Sequence, residues 1–269
     1  MQYDPIKRFL GNIFNSTPLL RVLFYKLLDI LLLRTWHIKK EIRNLKKTFP
    51  ANANILDAGS GFGQYTYYIS TLSASWRIKG VDVKTEQIAD CNQFFTKLGR
   101  NTMVTFEEAD LTKFSENEKY NLILSVDVME HILEDVQVFR NFNQSLKPGG
   151  ILLVSTPSDQ GGSDVHDDHD SSFVGEHVRD GYNINEIGEK LKIAGFSKVE
   201  AHYSYGCPGK ISWRLSMKYP ILMVNTSKLF LLILPVYYLI SFPFALILNY
   251  LDVKLKHKSG TGLIVKAWK

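Results

Sequence analysis

Three glycines at alternate positions constrain what this chain can fold into. Gly59, Gly61 and Gly63 follow an apolar segment from Asn54 to Ala58, and residues 65–72 after them can form a helix. Glycine lets a backbone approach a ligand closely and adopt positive φ angles. The free N–H groups at the start of a helix add hydrogen-bond donors. A strand, a glycine turn and a helix in this order therefore predict the nucleotide-binding corner of an α/β protein.

The spacing of these glycines separates two classes of nucleotide site. The dinucleotide fingerprint places its third glycine one residue later than Gly63. Asp57, immediately before the first glycine, also suits a cationic ligand better than a pyrophosphate. The segment from Asp57 to Gly63 resembles the first motif of class I S-adenosylmethionine-dependent methyltransferases. An ordinary glycine-rich turn is the alternative for this segment taken alone.

Alternating apolar and helical segments continue beyond the glycine turn. The predicted strands cover 54–58, 76–81, 102–106, 120–126, 151–155, 196–205 and 262–268, and the predicted helices include 65–72, 85–98 and 183–194. This alternation predicts a parallel sheet with helices on both faces. The resemblance implies a doubly wound, mostly parallel, seven-stranded sheet of the Rossmann-like methyltransferase fold. To it the sequence adds an apolar helical N-terminal extension and an apolar helical insertion before the last strand.

Acidic residues follow three further strands, at the sheet edge where such folds bind ligands. Asp82 is placed to accept both ribose hydroxyls. Asp110, followed by Leu111, resembles the acid that meets the adenine amino group in the family, and Asp127 ends the fourth strand. We therefore expect S-adenosylmethionine as the cofactor. Its predicted binding residues are Asp57, Gly59, Gly61, Gly63, Asp82, Asp110, Leu111 and Asp127.

The first group of candidate catalytic residues follows the fourth strand. Asp127, Glu130 and His131 resemble the Glu-x-x-Glu-His motif of quinone-biosynthesis O-methyltransferases, which is linked to a divalent metal in that family. Asp in place of the first Glu shortens the reach, so we expect no metal cofactor and keep these three residues as candidate ligands only. His131 is also a candidate general base. The alternative is that Asp127 contacts the cofactor and that Glu130 and His131 cap the next helix.

The long loop 156–183 holds a second group of candidates. His166, His169 and His177 lie there among several aspartates. An imidazole in this loop is a candidate base, and the mixed ligand set suits a metal. His166 and His177 are therefore catalytic candidates beside His131. A solvated acidic loop is the alternative.

The charge of the chain falls into three blocks. Residues 1–50 carry ten Lys and Arg against three Asp and Glu, residues 51–210 carry 14 against 23, and residues 211–269 carry eight against one. Both basic ends are also rich in Leu, Ile and Phe. This combination is typical of segments that lie on an anionic membrane. A nucleic-acid binder needs no such aliphatic surface, so we expect anionic lipids and no nucleic acid as partners.

The N-terminal apolar segment has a helical pattern over residues 19–33. Its charged residues, Arg21, Lys26 and Asp29, fall within a limited arc of the helix. The segment is too short and too charged to span a membrane. We expect it to lie at the interface or to cover the acceptor site, and a helix packed on the domain with a solvated basic face is the alternative.

The C-terminal apolar segment has 23 consecutive residues without charge, 229–251. We expect Pro235 and Pro243 to break this segment into pieces too short to span. A single crossing would also separate the last strand from the sixth strand, beside which the resemblance places it. The sequence therefore predicts a re-entrant or interfacial helical hairpin, or a cap over the site, with Lys254, Lys256, His257 and Lys258 on lipid headgroups.

These observations predict four segments: an amphipathic extension 1–50, a methyltransferase core 51–210, a hydrophobic insertion 211–257 and the last strand in 258–269. We expect an S-adenosylmethionine-dependent methyltransferase that acts on a lipophilic small molecule, such as a quinone precursor or polyprenyl phenol, at a membrane surface. Two distant cysteines predict a reducing, cytoplasmic setting with peripheral or monotopic membrane association. The alternatives are a cofactor-binding membrane scaffold without turnover and a nucleic-acid methyltransferase, which the acidic middle block disfavours.

Overall fold

The sheet at the centre of the molecule has the predicted number of strands. The computed structural model describes residues 17–161 and 178–269. Its strands are β1 Asn54–Ala58, β2 Arg77–Asp82, β3 Val104–Glu108, β4 Tyr120–Val126, β5 Leu146–Pro157, β6 Lys198–Ser204 and β7 Gly262–Trp268. They form one sheet in the order β3-β2-β1-β4-β5-β7-β6, in which β7 runs antiparallel to both its neighbours. The predicted Rossmann-like methyltransferase fold is confirmed.

Helices cover both faces of this sheet. They are α1 Pro18–Leu31, α2 Leu33–Lys46, α3 Gln64–Ser70, α4 Thr85–Lys97, α5 Asp135–Ser145, α6 Ile184–Ile193, α7 Cys207–Trp213, α8 Tyr219–Thr226 and α9 Leu234–Lys254. One buried cluster joins the inner strands to α2, α4 and Tyr25 of α1, and a second joins them to α5 and α6. The apolar residues that alternate along the chain therefore meet in two layers, one on each face.

The N-terminal extension differs from its prediction in one respect. Residues 19–33 are not one helix, because Leu32 has an extended backbone that separates α1 from α2. Thr17 caps the start of α1 by accepting the N–H of Leu20. The break at Leu32 lets the two helices lie against different parts of the molecule.

The insertion before β7 is a hairpin of two helical arms. The first arm, residues 207–226, runs through α7, a π-helical turn at Arg214–Lys218 and α8. The second arm is α9, which returns antiparallel to it, since the Ser212 hydroxyl donates to the Ala245 carbonyl at 3.1 Å and the Tyr237 hydroxyl to the Leu215 carbonyl at 2.7 Å. Because β7 pairs with both β5 and β6, the hairpin starts and ends on the same side of the sheet.

The prediction that prolines break the second apolar segment is wrong. Pro235 lies in the first turn of α9, where a missing N–H removes no helical hydrogen bond. Pro243 lies inside the helix, which nevertheless continues to Lys254. Ser241 and Ala245, on either side of it, are buried. Packing along the arm thus outweighs the roughly 3 kcal/mol that an interior proline costs a helix.

Candidate active site

The glycine loop after β1 has the conformation that its sequence requires. Gly59, Gly61 and Gly63 have φ angles of 77°, 51° and 79°, in the left-handed region that disfavours residues with a Cβ. A Cβ on Gly59 would in addition overlap the side chain of Val128. Asp82 accepts the N–H of Gly61 at 2.9 Å and so fixes the loop against the end of β2. The loop leaves an open backbone surface at the carboxyl edge of the sheet.

The acids predicted to bind the cofactor lie along this edge. Asp57, Asp82 and Asp110 stand at or just after the carboxyl ends of β1, β2 and β3, which are neighbours in the sheet. Asp57 is 2% exposed, and burial raises its pKa to about 6 although the Thr66 hydroxyl donates to it at 2.6 Å. Hydrogen bonds from Thr112 lower the pKa of Asp110. The edge therefore combines one deeply buried carboxyl with two accessible ones.

Leu111 has a different position from these acids. It is buried in the core cluster formed with α5 and α6. The Leu111 carbonyl accepts a hydrogen bond from the Asn141 amide at 2.9 Å. Its side chain thus lies in the core below Asp110, and its contact with the cofactor stays a prediction.

Asp127 pairs with an arginine that the sequence did not single out. Its backbone adopts a φ of 52°, and its carboxylate forms an ion pair with Arg34. Arg34 lies in the first turn of α2, and its backbone N–H donates to the Tyr205 hydroxyl at 3.0 Å. The buried Nε of Arg34 has no partner among the described residues. Two distant segments, at residues 34 and 205, thus meet beside the end of β4, and no spacing in the sequence could have revealed this.

Glu130 and His131 have different environments. Glu130 is 1% exposed, accepts the Thr156 hydroxyl at 3.1 Å, and has a pKa raised by burial. His131 is exposed beside it. The interpretation that these residues cap the next helix is wrong, because α5 begins only at Asp135.

The same geometry bears on the candidate metal ligands. Asp127 points to Arg34 and Glu130 to Thr156, so these carboxylates do not converge on one cation position. Within residues 17–161 and 178–269, no group of three His, Cys, Asp or Glu is arranged to hold a metal ion. His166, His169 and His177 lie outside the described residues. Val178 is the next residue that the structure describes, and its backbone N–H donates to the Glu130 carbonyl at 3.0 Å.

Helix α1 holds the glycine loop from outside. Arg21 donates to the Phe62 carbonyl at 2.8 Å, and the Tyr25 hydroxyl donates to the same oxygen. Asp29 accepts the Gln64 amide at 2.9 Å. Two of the three charged residues of the predicted arc, Arg21 and Asp29, therefore face the loop and the start of α3, whereas Lys26 is exposed. Arg21 and Tyr25 are both buried.

A buried carboxylate joins the hairpin to the site. Asp252, at the end of α9, accepts the N–H of Tyr205 at 3.1 Å and that of Gly209 at 2.9 Å. The imidazole Nε2 atoms of His37 and His257 lie 2.8 and 3.2 Å from its oxygens. Burial opposes the charge of Asp252, but the hydrogen bond from His37 and the other contacts lower its pKa overall. Helix α2, the end of β6 and the base of the hairpin thus share one anchor.

A small crevice with a volume of about 10 Å³ lies next to this anchor and has room for about one water molecule. It separates the junction of α1 and α2 from the hairpin, and Leu31, Leu32 and Trp213 are among its apolar lining residues. Tyr205 and Asn249 also line it. Because the Tyr205 hydroxyl contacts Arg34, one side chain separates the crevice from the ion pair at Asp127.

Comparisons with known proteins agree with this architecture. A family model described as a methyltransferase domain matches residues 50–202. Phosphoethanolamine N-methyltransferase 1 of Triticum aestivum is 28% identical over 165 residues, covering 58% of this chain and 30% of that protein. The mitochondrial ubiquinone biosynthesis O-methyltransferase of Dictyostelium discoideum is 26% identical over 112 residues, covering 38% of this chain and 35% of that protein. The chain spans about a third or less of the length of the plant relatives that it matches.

A solved structure extends the agreement to the fold. Phosphoethanolamine N-methyltransferase 2 of Haemonchus contortus, in complex with S-adenosyl-L-methionine, matches with a TM-score of 0.59 at 20% identity. The match covers 86% of this chain and 52% of that one. Together with the family model, the sheet order and the glycine loop, it shows that the chain belongs to the class I S-adenosylmethionine-dependent methyltransferases.

Proposed function

We propose that this protein transfers a methyl group from S-adenosylmethionine to a lipophilic small molecule at a membrane surface. A quinone precursor, a polyprenyl phenol or a similar amphiphile is the proposed acceptor class. The observation that carries the proposal is the exposed apolar face of α9, whose last turn is tied through Asp252 to the backbone of Tyr205. The Tyr205 hydroxyl in turn accepts the backbone N–H of Arg34 beside the sheet edge, so the apolar surface is connected to the candidate site.

The residues at the sheet edge fit the proposed cofactor. The glycine loop presents backbone where a Cβ would fill the space, and three acids follow β1 to β3. Asp82 and Asp110 are accessible to the ribose and the adenine, and the buried Asp57 favours a cationic group. When bound, S-adenosylmethionine supplies an electrophilic methyl group on a sulfonium centre.

The chain's own task is mainly alignment. Methyl transfer needs no covalent nucleophile, so the protein has to place the acceptor in line with the methyl group and exclude water. Arg34 and Asp127 form a neutral pair beside the end of β4, where we propose that the acceptor lies. A phenol acceptor has to lose a proton, and the exposed His131 imidazole is the candidate base in the described part of the chain. His166 and His177 remain proposed bases as well.

The proposed acceptor class also draws on the relatives. One of them is named for ubiquinone biosynthesis, and others are named for the methylation of phosphoethanolamine or of malonyl-[acyl-carrier protein]. The abundant exposed Leu, Ile and Phe of α1 and α9 favour the lipophilic acceptor over the small polar one. We propose a cytoplasmic protein attached to the membrane peripherally or monotopically, without nucleic acid as a partner. The division at residues 50, 210 and 257 remains part of the proposal.

Titration with S-adenosylhomocysteine tests the cofactor site. We expect micromolar binding by the wild type and at least ~10-fold weaker binding by Asp82→Ala, since each lost hydrogen bond to a charged group costs about 1.5–3 kcal/mol. Glu189→Ala removes the same charge from the exposed face of α6 and should bind like the wild type. Equal affinities of all three proteins would refute the assignment of Asp82.

Methyl transfer to lipid-borne acceptors tests the reaction itself. Radiolabelled S-adenosylmethionine and anionic vesicles that contain a polyprenyl phenol should yield labelled lipid, and Asp82→Ala should yield much less. Cofactor binding without transfer to any lipid extract would instead support a membrane scaffold without turnover.

A further inference from the structure

Helix α9 buries polar side chains and exposes apolar ones. The side chains that it buries are Ser241, Asn249 and Asp252, with the small Ala245 among them. Those that it exposes are large and apolar: Val236, Leu239, Ile240, Phe244, Ile247, Tyr250 and Leu251. A helix on the surface of a water-soluble protein has the opposite arrangement, with its apolar stripe toward the core. The outward face of α9 is therefore suited to a solvent that is itself apolar.

The first arm of the hairpin has the complementary interior. Its buried residues, Gly209, Ser212, Ser216 and Pro220, are small and follow a helical spacing. The Tyr238 hydroxyl of α9 donates to the Ser216 carbonyl at 2.9 Å. Small residues and hydrogen bonds between helices are the usual contacts of helix pairs in lipid, because apolar burial provides no driving force there. The hairpin is thus held together from inside by polar and close backbone contacts.

Helix α1 has the same arrangement. Its buried residues are Arg21 and Tyr25, and its exposed stripe consists of Leu19, Leu23, Leu27 and Ile30. The stripe ends one residue before Leu31, which lines the crevice against the hairpin. The apolar stripe of α1 therefore leads directly to the hairpin.

Helix α9 is long and apolar enough to cross a membrane by length and composition, but the first arm is not, and the pairing of β7 with β6 returns the chain to the sheet. The first arm carries Lys210, Arg214 and Lys218, and its longest stretch without charge is residues 219–226. Eight residues of helix extend about 12 Å, against the roughly 30 Å of the hydrocarbon core. A lid would bury its apolar stripe against the site, whereas the apolar stripe of α9 is exposed.

We propose that the hairpin lies within one leaflet of an anionic membrane, with α9 among the acyl chains and the first arm at the level of the headgroups. The proposal deepens the membrane partner of the proposed function and rests on it. Residues 229–251 carry no charge, and the exposed Lys228, which immediately precedes them, meets the lipid phosphates. Helix α1 lies in the same interface.

Site-specific fluorescence measures this orientation on the full chain. In a Cys207→Ser background, an environment-sensitive nitrobenzoxadiazole probe is attached at Leu239→Cys, Leu222→Cys or, as a control, Ile193→Cys. Leu239 of α9 and Ile193 of α6 are 77% and 64% exposed, and Cys91 is buried. The vesicles contain phosphatidylcholine and phosphatidylglycerol, with quenchers either at the headgroup or deep in the acyl chain.

The expected result differs for the three positions. The probe at 239 should shift to the blue and be quenched better from the acyl chain, the probe at 222 should be quenched better from the headgroup, and the probe at 193 should not respond. A probe at 239 that stays in water on bound vesicles would overturn the proposal, and so would equal acyl-chain quenching of both arms. A probe at 193 that responds like the one at 239 would overturn it as well.

A charge substitution provides an independent measurement. Leu239→Glu combined with Phe244→Glu should lower the vesicle-bound fraction at least ~10-fold, since acidic residues insert poorly into hydrocarbon. Ile193→Glu should leave it unchanged. Titration with S-adenosylhomocysteine on the same samples separates the two proposals. Probe insertion without cofactor binding would refute the function alone, and cofactor binding with a probe at 239 in water would refute the orientation alone.

Discussion

Asp57 is buried to a greater extent than the other acids at the strand ends, and its protonation should govern cofactor affinity. Its pKa is about 6 in the fold against 3.8 without it, because burial disfavours the carboxylate. Folding therefore favours the protonated form. The resulting stability is fully present below about pH 4 and is lost as the pH rises through about 6. A cationic cofactor reverses this preference, because it favours the ionised form.

From this we expect S-adenosylhomocysteine, whose ammonium group is cationic, to bind more weakly as the pH falls from 7 to 5. The loss approaches ~10-fold for each pH unit below the pKa of Asp57. Isothermal titration at pH 7, 6 and 5 measures it. Thr66→Val removes the hydrogen bond that opposes burial, so the midpoint should move to higher pH. Asp57→Asn should abolish the pH dependence, and a dependence that survives this substitution would assign it to another group.

Whether a site residue could be predicted from the sequence depends on how far away in the chain its partner lies. Asp57, Asp82 and Asp110 could be predicted because parallel strands bring their carboxyl ends to one edge. Arg34 and Tyr205 could not, because they are separated by 171 positions and meet only once the extension has packed on the core. The sequence pattern therefore predicts the acids at the strand ends but not the residues that pack beside them.

At the level of helices, α1 is part of the cofactor site as well as of the apolar surface. Its buried face donates two hydrogen bonds to the Phe62 carbonyl of the glycine loop, and its outer face exposes four aliphatic residues. Periodicity predicted the limited charged arc but not the side that it faces. Arg21 and Asp29 of this arc face inward because the Phe62 carbonyl and the Gln64 amide offer them hydrogen-bond partners, whereas Lys26 stays exposed.

Loosening this helix should weaken cofactor binding. Tyr25→Phe keeps the buried ring but removes its hydrogen bond to Phe62, and a typical hydrogen bond contributes about 1 kcal/mol. We expect S-adenosylhomocysteine to bind about fivefold more weakly to Tyr25→Phe, with the circular dichroism spectrum unchanged. Leu23→Ser alters the exposed face of the same helix and should leave this affinity intact. A larger effect of Leu23→Ser than of Tyr25→Phe would contradict the assigned role of the inner face.

Across the whole molecule, one chain of contacts connects the hairpin to the sheet edge. Asp252 accepts the Tyr205 N–H, the Tyr205 hydroxyl accepts the Arg34 N–H, and Arg34 pairs with Asp127. Tyr205 has a φ of 53°, so its backbone is held in a conformation that costs an L-residue energy. The N-cap residue of α2, Leu32, has no side chain that can accept a hydrogen bond from the first turn. The Tyr205 hydroxyl supplies this acceptor to the backbone N–H of Arg34. The base of the hairpin is thus linked to the ion pair between Arg34 and Asp127 at the sheet edge.

This link can be measured by a double-mutant cycle. Tyr205→Phe removes the hydroxyl that accepts the Arg34 N–H, and Asp252→Asn weakens the anchor that holds the Tyr205 backbone. Each should weaken S-adenosylhomocysteine binding about threefold, within the 0.5–2 kcal/mol typical of residues that transmit coupling. Because both substitutions act through Tyr205, the double variant should bind S-adenosylhomocysteine no more weakly than the single variant with the lower affinity. Thermal unfolding identifies any loss of fold in Asp252→Asn, and Tyr205→Phe alone still tests the link. Leu239→Ala lies outside this chain of contacts, so it should lower vesicle binding and leave cofactor affinity unchanged. Strictly additive effects of Tyr205→Phe and Asp252→Asn on cofactor affinity would show that the hairpin and the site are independent.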